Sequence, residues 1–228
     1  MDDKYMIQPI EETRATIFDS TIDLSMDISE ICLDMLLDEG VIKDIPVLGS
    51  IYKIGKAVYS VSQLNHIKKI LVFAQEIQKN NVGSDILTKH KELMLSNPKK
   101  YYKELEIIIE YLDKQIGYEK AVLSGRVYYL LLSEEISYND FVLLLETINQ
   151  VYLSDISTLE TIYRLGSLNA EDSFNPVSCV RLHNCGLINY LSEIRFKREG
   201  EGSPAVAIIT YWGKIFCEAV LQIKNDEA

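Results

Sequence analysis

A mainly α protein is what this 228-residue sequence predicts, with a helical region over 1–135 and a mixed region over 136–228 that contains a small β-hairpin. Three observations predict it. Through residue 135, apolar positions recur at three- and four-residue spacings, the period of a helix with one buried face. Beyond it, an alternating stretch, 188–197, and an apolar, β-branched one, 205–210, flank the turn-rich REGEGSP. A hydrophobic content of 47% in a chain of this length supports a sizeable core without covalent staples.

The elements follow in order. Ile17, Ile22, Leu24, Ile28, Ile31, Leu33, Met35 and Leu36 mark a helix over 11–37 on an acidic background, with Gly40 as its C-cap. Asp44, Ile45 and Pro46 open a second helix that runs to Lys79, with Gly49 and Gly55 inside it. Residues 80–85, NNVGSD, are a turn, and a short helix reaches Leu95. Asn97 caps the next helix, with Pro98 in its first turn and Tyr102, Leu105, Ile108, Ile109 and Leu112 as its buried stripe. Gly117 breaks it, and 121–132 form a further helix. Ser137 to Asp140 start a helix whose core face is Phe141, Leu144, Leu145 and Ile148. Ser154 or Asp155 opens another, through Leu159, Ile162 and Leu165 to Gly166. Asn175 and Pro176 begin a short helix stopped by Gly186, and Thr210 caps a closing helix after the hairpin.

Charge is unevenly distributed along this chain of formal net charge -11. Residues 1–40 hold 2 basic and 11 acidic groups, whereas residues 41–103 hold 11 lysines against 4 acids. The basic block coincides with the apolar, glycine-bearing segment 45–77. An anionic bilayer attracts lysines at its surface, each by about 1 kcal/mol. The segment therefore predicts membrane contact: Val47, Leu48, Ile51, Ile54, Val58 and Val61 for insertion, and Lys53, Lys56, Lys68 and Lys69 toward head groups. Gly49 and Gly55 would let copies of the helix approach closely in a homo-oligomer. A lone span is not expected, because the longest charge-free run, 57–67, holds Ser60, Ser62, Gln63, Asn65 and His66. The competing expectation is a buried bundle helix whose lysines snorkel outward.

In the second half, helix, helix, short helix, strand, turn, strand and helix follow one another in a winged-helix-like order. RLHNCGLIN followed by ITYWGKIFCEAVL resembles the closing half of bacterial winged-helix domains, over about 137–222. A winged helix places its short helix in the major groove and its wing on phosphate. The expected nucleic-acid contacts are Arg181, His183 and Asn184 on the helix, Arg195, Lys197 and Arg198 on the wing, and Tyr211, Trp212 and Lys214 after it. These few cations suit a short single strand stacked on aromatics better than a duplex. The alternative is a soluble regulator whose winged helix binds DNA or a protein.

Catalysis is not expected. His66 and His90 lack a recognisable acid or nucleophile partner in sequence. GSIYKIGK, at 49–56, has neither the spacing of a phosphate-binding loop nor a Ser or Thr after its lysine. Cys32, Cys179, Cys185 and Cys217 form no Cys-x-x-Cys pair; only His183 lies near two of them, so small buried thiols in a reducing compartment are expected, with no metal and no cofactor. The acidic start, MDDKYMIQPIEETR, lacks an apolar signal region, and a cytoplasmic or inner-membrane-associated chain is expected.

The segment DIPVLGSIYKIGKAVYSVSQLNHIKKILVFAQEI, with its Ile-Pro-Val-x-Gly step, resembles bacterial phage-defence membrane effectors of the abortive-infection alpha type. So does the helical middle, YYKELEIIIEYLDKQIGYEKAVLSGRVYYLLLSEEISYNDFVLLLETINQVYLSD. The layout is similar to that of the effectors of the Hailong defence system. The resemblance implies an antiviral, toxin-like ion channel assembled as a homo-oligomer in the inner membrane. It implies gating by a short single-stranded DNA oligomer made by a partner nucleotidyltransferase. On this resemblance 45–67 would be the membrane element, and the C-terminal half would carry the oligonucleotide pocket.

Overall fold

The computed structural model describes residues 4–19, 24, 28, 45–48, 60–79, 84–169, 175–192 and 205–223. The described protein is mainly helical with a small three-stranded antiparallel sheet. It divides into two compact units, Met1–Leu145 and Glu146–Ala228.

The first unit is built of helices α1 (Lys4–Phe18), α2 (Val61–Lys79), α3 (Ser84–Ser96), α4 (Pro98–Lys114) and α5 (Glu119–Leu132), and of the start of α6 (Tyr138–Gln150). α1 ends at Phe18, and neither Asp19 nor Leu24 is helical, so the helix expected over 11–37 is not continuous. The helix expected over 45–79 is also interrupted. Residues 46–48 make one helical turn, and α2 starts afresh at Val61. Ser60 and Gln63 form a capping box there: Gln63 N–H donates to Ser60 Oγ at 3.3 Å, and Ser60 N–H to Gln63 Oε1 at 2.9 Å.

From Ile67 to Ile77 every residue of α2 is buried, as in a helix surrounded by others. Its polar members have partners. Gln75 Nε2 donates to Leu24 O at 2.6 Å, and Glu76 accepts from Arg126 Nε at 2.7 Å. α5 meets α2 at Gly125, where a Cβ would stand 2.8 Å from the Phe73 carbonyl oxygen; only hydrogen fits without a shift. Phe18, Phe73, Tyr128 and Phe141 complete an aromatic core. Asn97 caps α4 with Pro98 in its first turn, and Ser137 and Asp140 cap α6 reciprocally. Gly117 takes φ +85 after α4.

In the second unit a 3₁₀ turn, Leu153–Asp155, leads into α7 (Ile156–Leu165) and a short strand β1 (Ser167–Asn169), which was not expected from sequence. Then come α8 (Pro176–Asn184), β2 (Ile188–Ser192), β3 (Ala205–Ile209), α9 (Tyr211–Ile215) and a π-helical turn, Phe216–Val220. The strand order is β1-β3-β2, with Leu168 and Tyr190 both opposite Ala207 and Ile188 opposite Ile209. That register puts these residues on one face, as pleating requires. α7 buries Leu159, Ile162 and Tyr163, and Leu165 at its end is exposed. Thr210 caps α9 by accepting from Gly213 N–H at 2.9 Å. A Cβ on Gly213 would stand 2.0 Å from the Leu187 carbonyl oxygen, so glycine is required at that crossing.

Candidate functional site

The first unit holds a cleft of about 170 Å³. One face of α3 supplies Ile86, Lys89, His90 and Leu93, spaced so that all four line up along the helix. α4 contributes Lys100, Tyr101 and Glu104. Leu131 and Leu132 end α5 at the opposite wall, followed by Glu134 and, from α6, Tyr138.

Glu104 forms the floor and is only 2% exposed. A buried carboxylate needs partners, and it has two: the Tyr128 hydroxyl donates at 2.7 Å, and His90 Nε2 lies at 3.0 Å. Phe18 stacks on the His90 ring at 5.6 Å and Tyr101 meets it edge-on at 5.0 Å, fixing the imidazole. Burial, followed by the charge of Glu104, pushes the Tyr128 phenol well above its ordinary range. The same two causes, in that order, raise Tyr101 and Tyr138. All three phenols are therefore neutral at physiological pH. The arrangement offers an apolar cleft with a satisfied polar floor. No serine, threonine or cysteine among its lining residues could act as a nucleophile.

Sequence reasoning passed over this cluster. His90 has Glu92 near it in sequence, but the acid it meets, Glu104, lies fourteen residues on. One signal was readable: Glu104 falls on the apolar stripe between Tyr101 and Leu105, an expensive place for a carboxylate without a partner.

Of the residues expected to meet a membrane, Val47, Leu48, Val61, Lys68 and Lys69 lie among the described residues. Val47 is buried and Leu48 wholly so; Val47 N–H donates to Thr16 Oγ1 at 3.1 Å. Val61 is exposed in the first turn of α2. Lys68 and Lys69, expected at head groups, are buried instead. Lys68 Nζ sits 4.1 Å from the centre of the Tyr118 ring. Lys69 Nζ donates to Asp113 O at 3.1 Å and Gln115 O at 3.0 Å, closing the C-terminus of α4 where helix carbonyls lack partners. Burial lowers the Lys69 ammonium from its ordinary value, opposed by the Asp113 carboxylate. Ile51, Ile54, Val58, Lys53 and Lys56 lie outside the described residues. Among the described residues, no helix is long and apolar enough to cross a membrane.

In the second unit Arg181 is committed to an internal partner. Its Nε donates to Asp155 Oδ2 at 2.6 Å, and a second guanidinium nitrogen reaches Oδ1. Ser178 Oγ also donates to Asp155, at 2.8 Å, and the Tyr152 ring lies under the guanidinium at 4.7 Å. The Arg181 bond, with help from Ser178, holds the Asp155 carboxyl below the usual carboxylate range although burial opposes it. Asp155 stands at the N-cap of α7, where the sequence places the helix start, but its carboxylate makes no side-chain cap. His183 is exposed, with Nδ1 3.1 Å from Ile188 O. Asn184 and Lys214 are exposed, and Tyr211 and Trp212 meet edge-to-face at 5.6 Å. Val177 and Val180 face outward from α8, 58% and 46% exposed. Arg195, Lys197 and Arg198 lie outside the described residues. Among the described residues, no three His, Cys, Asp or Glu side chains converge as a metal site requires.

No protein-family model, no curated protein and no solved structure matches this chain.

Proposed function

We propose that this chain is a non-catalytic regulatory protein whose helical unit binds a small ligand in the cleft over Glu104. The single observation that carries the proposal is the cleft itself: apolar walls from three helices above a buried Glu104–His90–Tyr128 network. Concave apolar sites with a few convergent polar groups are where small molecules bind. The network orders the floor without leaving a reactive group available, which favours binding over catalysis. The test is a screen of ring-sized compounds against the full chain by amide NMR, repeated on Leu131→Trp, which fills the cleft. Shifts confined to Ile86, Leu93, Leu131 and Leu132 that vanish in Leu131→Trp support the proposal. Compounds that bind only elsewhere, or none at all, overturn it.

For the second unit we propose a winged-helix-like module that contacts a protein rather than nucleic acid. Arg181 is held by Asp155 and is not free to read a base. The outward face of α8 carries Val177 and Val180 beside His183 and Asn184, an apolar share that suits a protein partner better than a groove-reading helix. Tight binding of a short single strand or a duplex, lost in Lys214→Ala, would reverse that choice. A chain that pellets with membranes and depolarises cells would reinstate the membrane-effector alternative, with the buried Lys68 and Lys69 released.

A further inference from the structure

Across the mouth of the cleft, Lys89 Nζ on α3 donates to Glu134 Oε1 at 2.8 Å. Glu134 has a left-handed backbone, φ 61. It follows α5 at the turn of a Schellman ending: its N–H donates to Leu131 O at 3.1 Å, and Glu135 N–H to Leu130 O at 2.9 Å. That turn ordinarily takes glycine, because a Cβ is crowded in the left-handed region. The chain meets the same requirement with glycine at the end of α8. There Gly186 takes φ 73, with its N–H on His183 O at 2.9 Å and Leu187 N–H on Leu182 O at 3.1 Å. The backbone at 134 therefore gives no reason for glutamate. What the residue contributes is its side chain, an anion on Lys89 beside an apolar cleft.

We infer that the cleft takes a small organic monoanion with an apolar body, whose charged group takes the place on Lys89 now held by Glu134. Glu134 is then an internal competitor for the site, and a left-handed glutamate is the cost of that competition. The inference rests on the cleft being a ligand site and adds its ligand class. The volume of about 170 Å³ has room for a single ring with a short substituent. Leu93, Leu131 and Leu132 give that ring apolar walls. At the rim Lys89 and Lys100 are the cations and Glu134 the acid, while Glu104 is occupied in the floor by His90 and Tyr128. A cationic ligand would meet two lysines and a carboxylate already paired. An anionic one meets a lysine whose present partner is exposed and replaceable.

Benzoate and its neutral analogue benzyl alcohol are the probes, titrated into the full chain, Glu134→Gln and Lys89→Met, with cleft amides followed by NMR. Both substituted side chains are exposed, so folding is retained, and a thermal melt of each variant checks this. Benzoate is expected to bind about three- to fivefold more tightly to Glu134→Gln and about fivefold more weakly to Lys89→Met, the range of an exposed ion pair. Benzyl alcohol is expected to bind all three alike. If both probes enter the cleft equally and neither substitution matters, the anion inference fails while the cleft remains a ligand site. If neither probe moves the cleft amides in any variant, both fail.

Discussion

Gly125 of α5 lies directly against the backbone carbonyl of Phe73 in α2. A Cβ there would stand 2.8 Å from that oxygen and 2.9 Å from Glu76 Cβ. Both neighbours are at or next to the backbone of a fully packed helix and cannot swing aside. Gly125→Ala gains about 1 kcal/mol of helix propensity but overpacks the contact by about 1–3 kcal/mol. The clash outweighs the gain, and a lower midpoint in urea is expected. A variant melting above the parent would mean that the two helices do not cross here.

Lys69→Met is expected to cost about 1–3 kcal/mol, because Asp113 O and Gln115 O lose their shared donor while methionine retains the packing of the aliphatic stem. The measurement is a denaturant titration in the absence of any lipid. A surface lysine that serves only to meet head groups would leave this value unchanged, so the experiment separates the two roles of residue 69.

Ser60→Ala distinguishes one long helix from two. If a helix ran through residue 60, alanine would be neutral or stabilising there. At the capping box it is expected to cost about 1 kcal/mol and to speed amide exchange in the first turn of α2. Faster exchange limited to Ser62, Gln63 and Leu64 is the sign to look for.

The Asp155–Arg181 pair predicts an acid-sensitive second unit. The folded carboxyl of Asp155 is held below its ordinary value of 3.8. Its contribution is therefore present above that pH and is lost as pH falls through the depressed folded value. Urea melts at pH 7 and pH 3 are expected to show a loss for the parent that is smaller in Asp155→Asn. An equal loss in both would place the acid sensitivity elsewhere.

Local signals carried most of the helical architecture. Asn97 with Pro98, Asn175 with Pro176, Thr210, and the stops at Gly117, Gly166 and Gly186 each act within four residues, and each was legible. What escaped was non-local. Asp155 does open α7, but the partner that takes its carboxylate, Arg181, lies twenty-six residues away. β1 is three residues long and is a strand only because β3 pairs with it. The break at Ser60 was masked by apolar periodicity on both sides of a Ser-x-x-Gln box that is itself readable. Lys68 and Lys69 looked like surface groups because their partners, a tyrosine ring and two carbonyls, come from residues after 110.

Trp212 is the only tryptophan in the sequence, and it lies in the second unit, half-buried beside Tyr211. Excitation at the red edge of the tryptophan band thus observes one half of the chain alone, whereas far-ultraviolet dichroism weights the helix-rich other half. Two denaturation curves from one cuvette report whether the halves unfold together. A compound that shifts the dichroism curve and leaves the fluorescence curve in place has bound in the helical half, with no label and no engineered reporter.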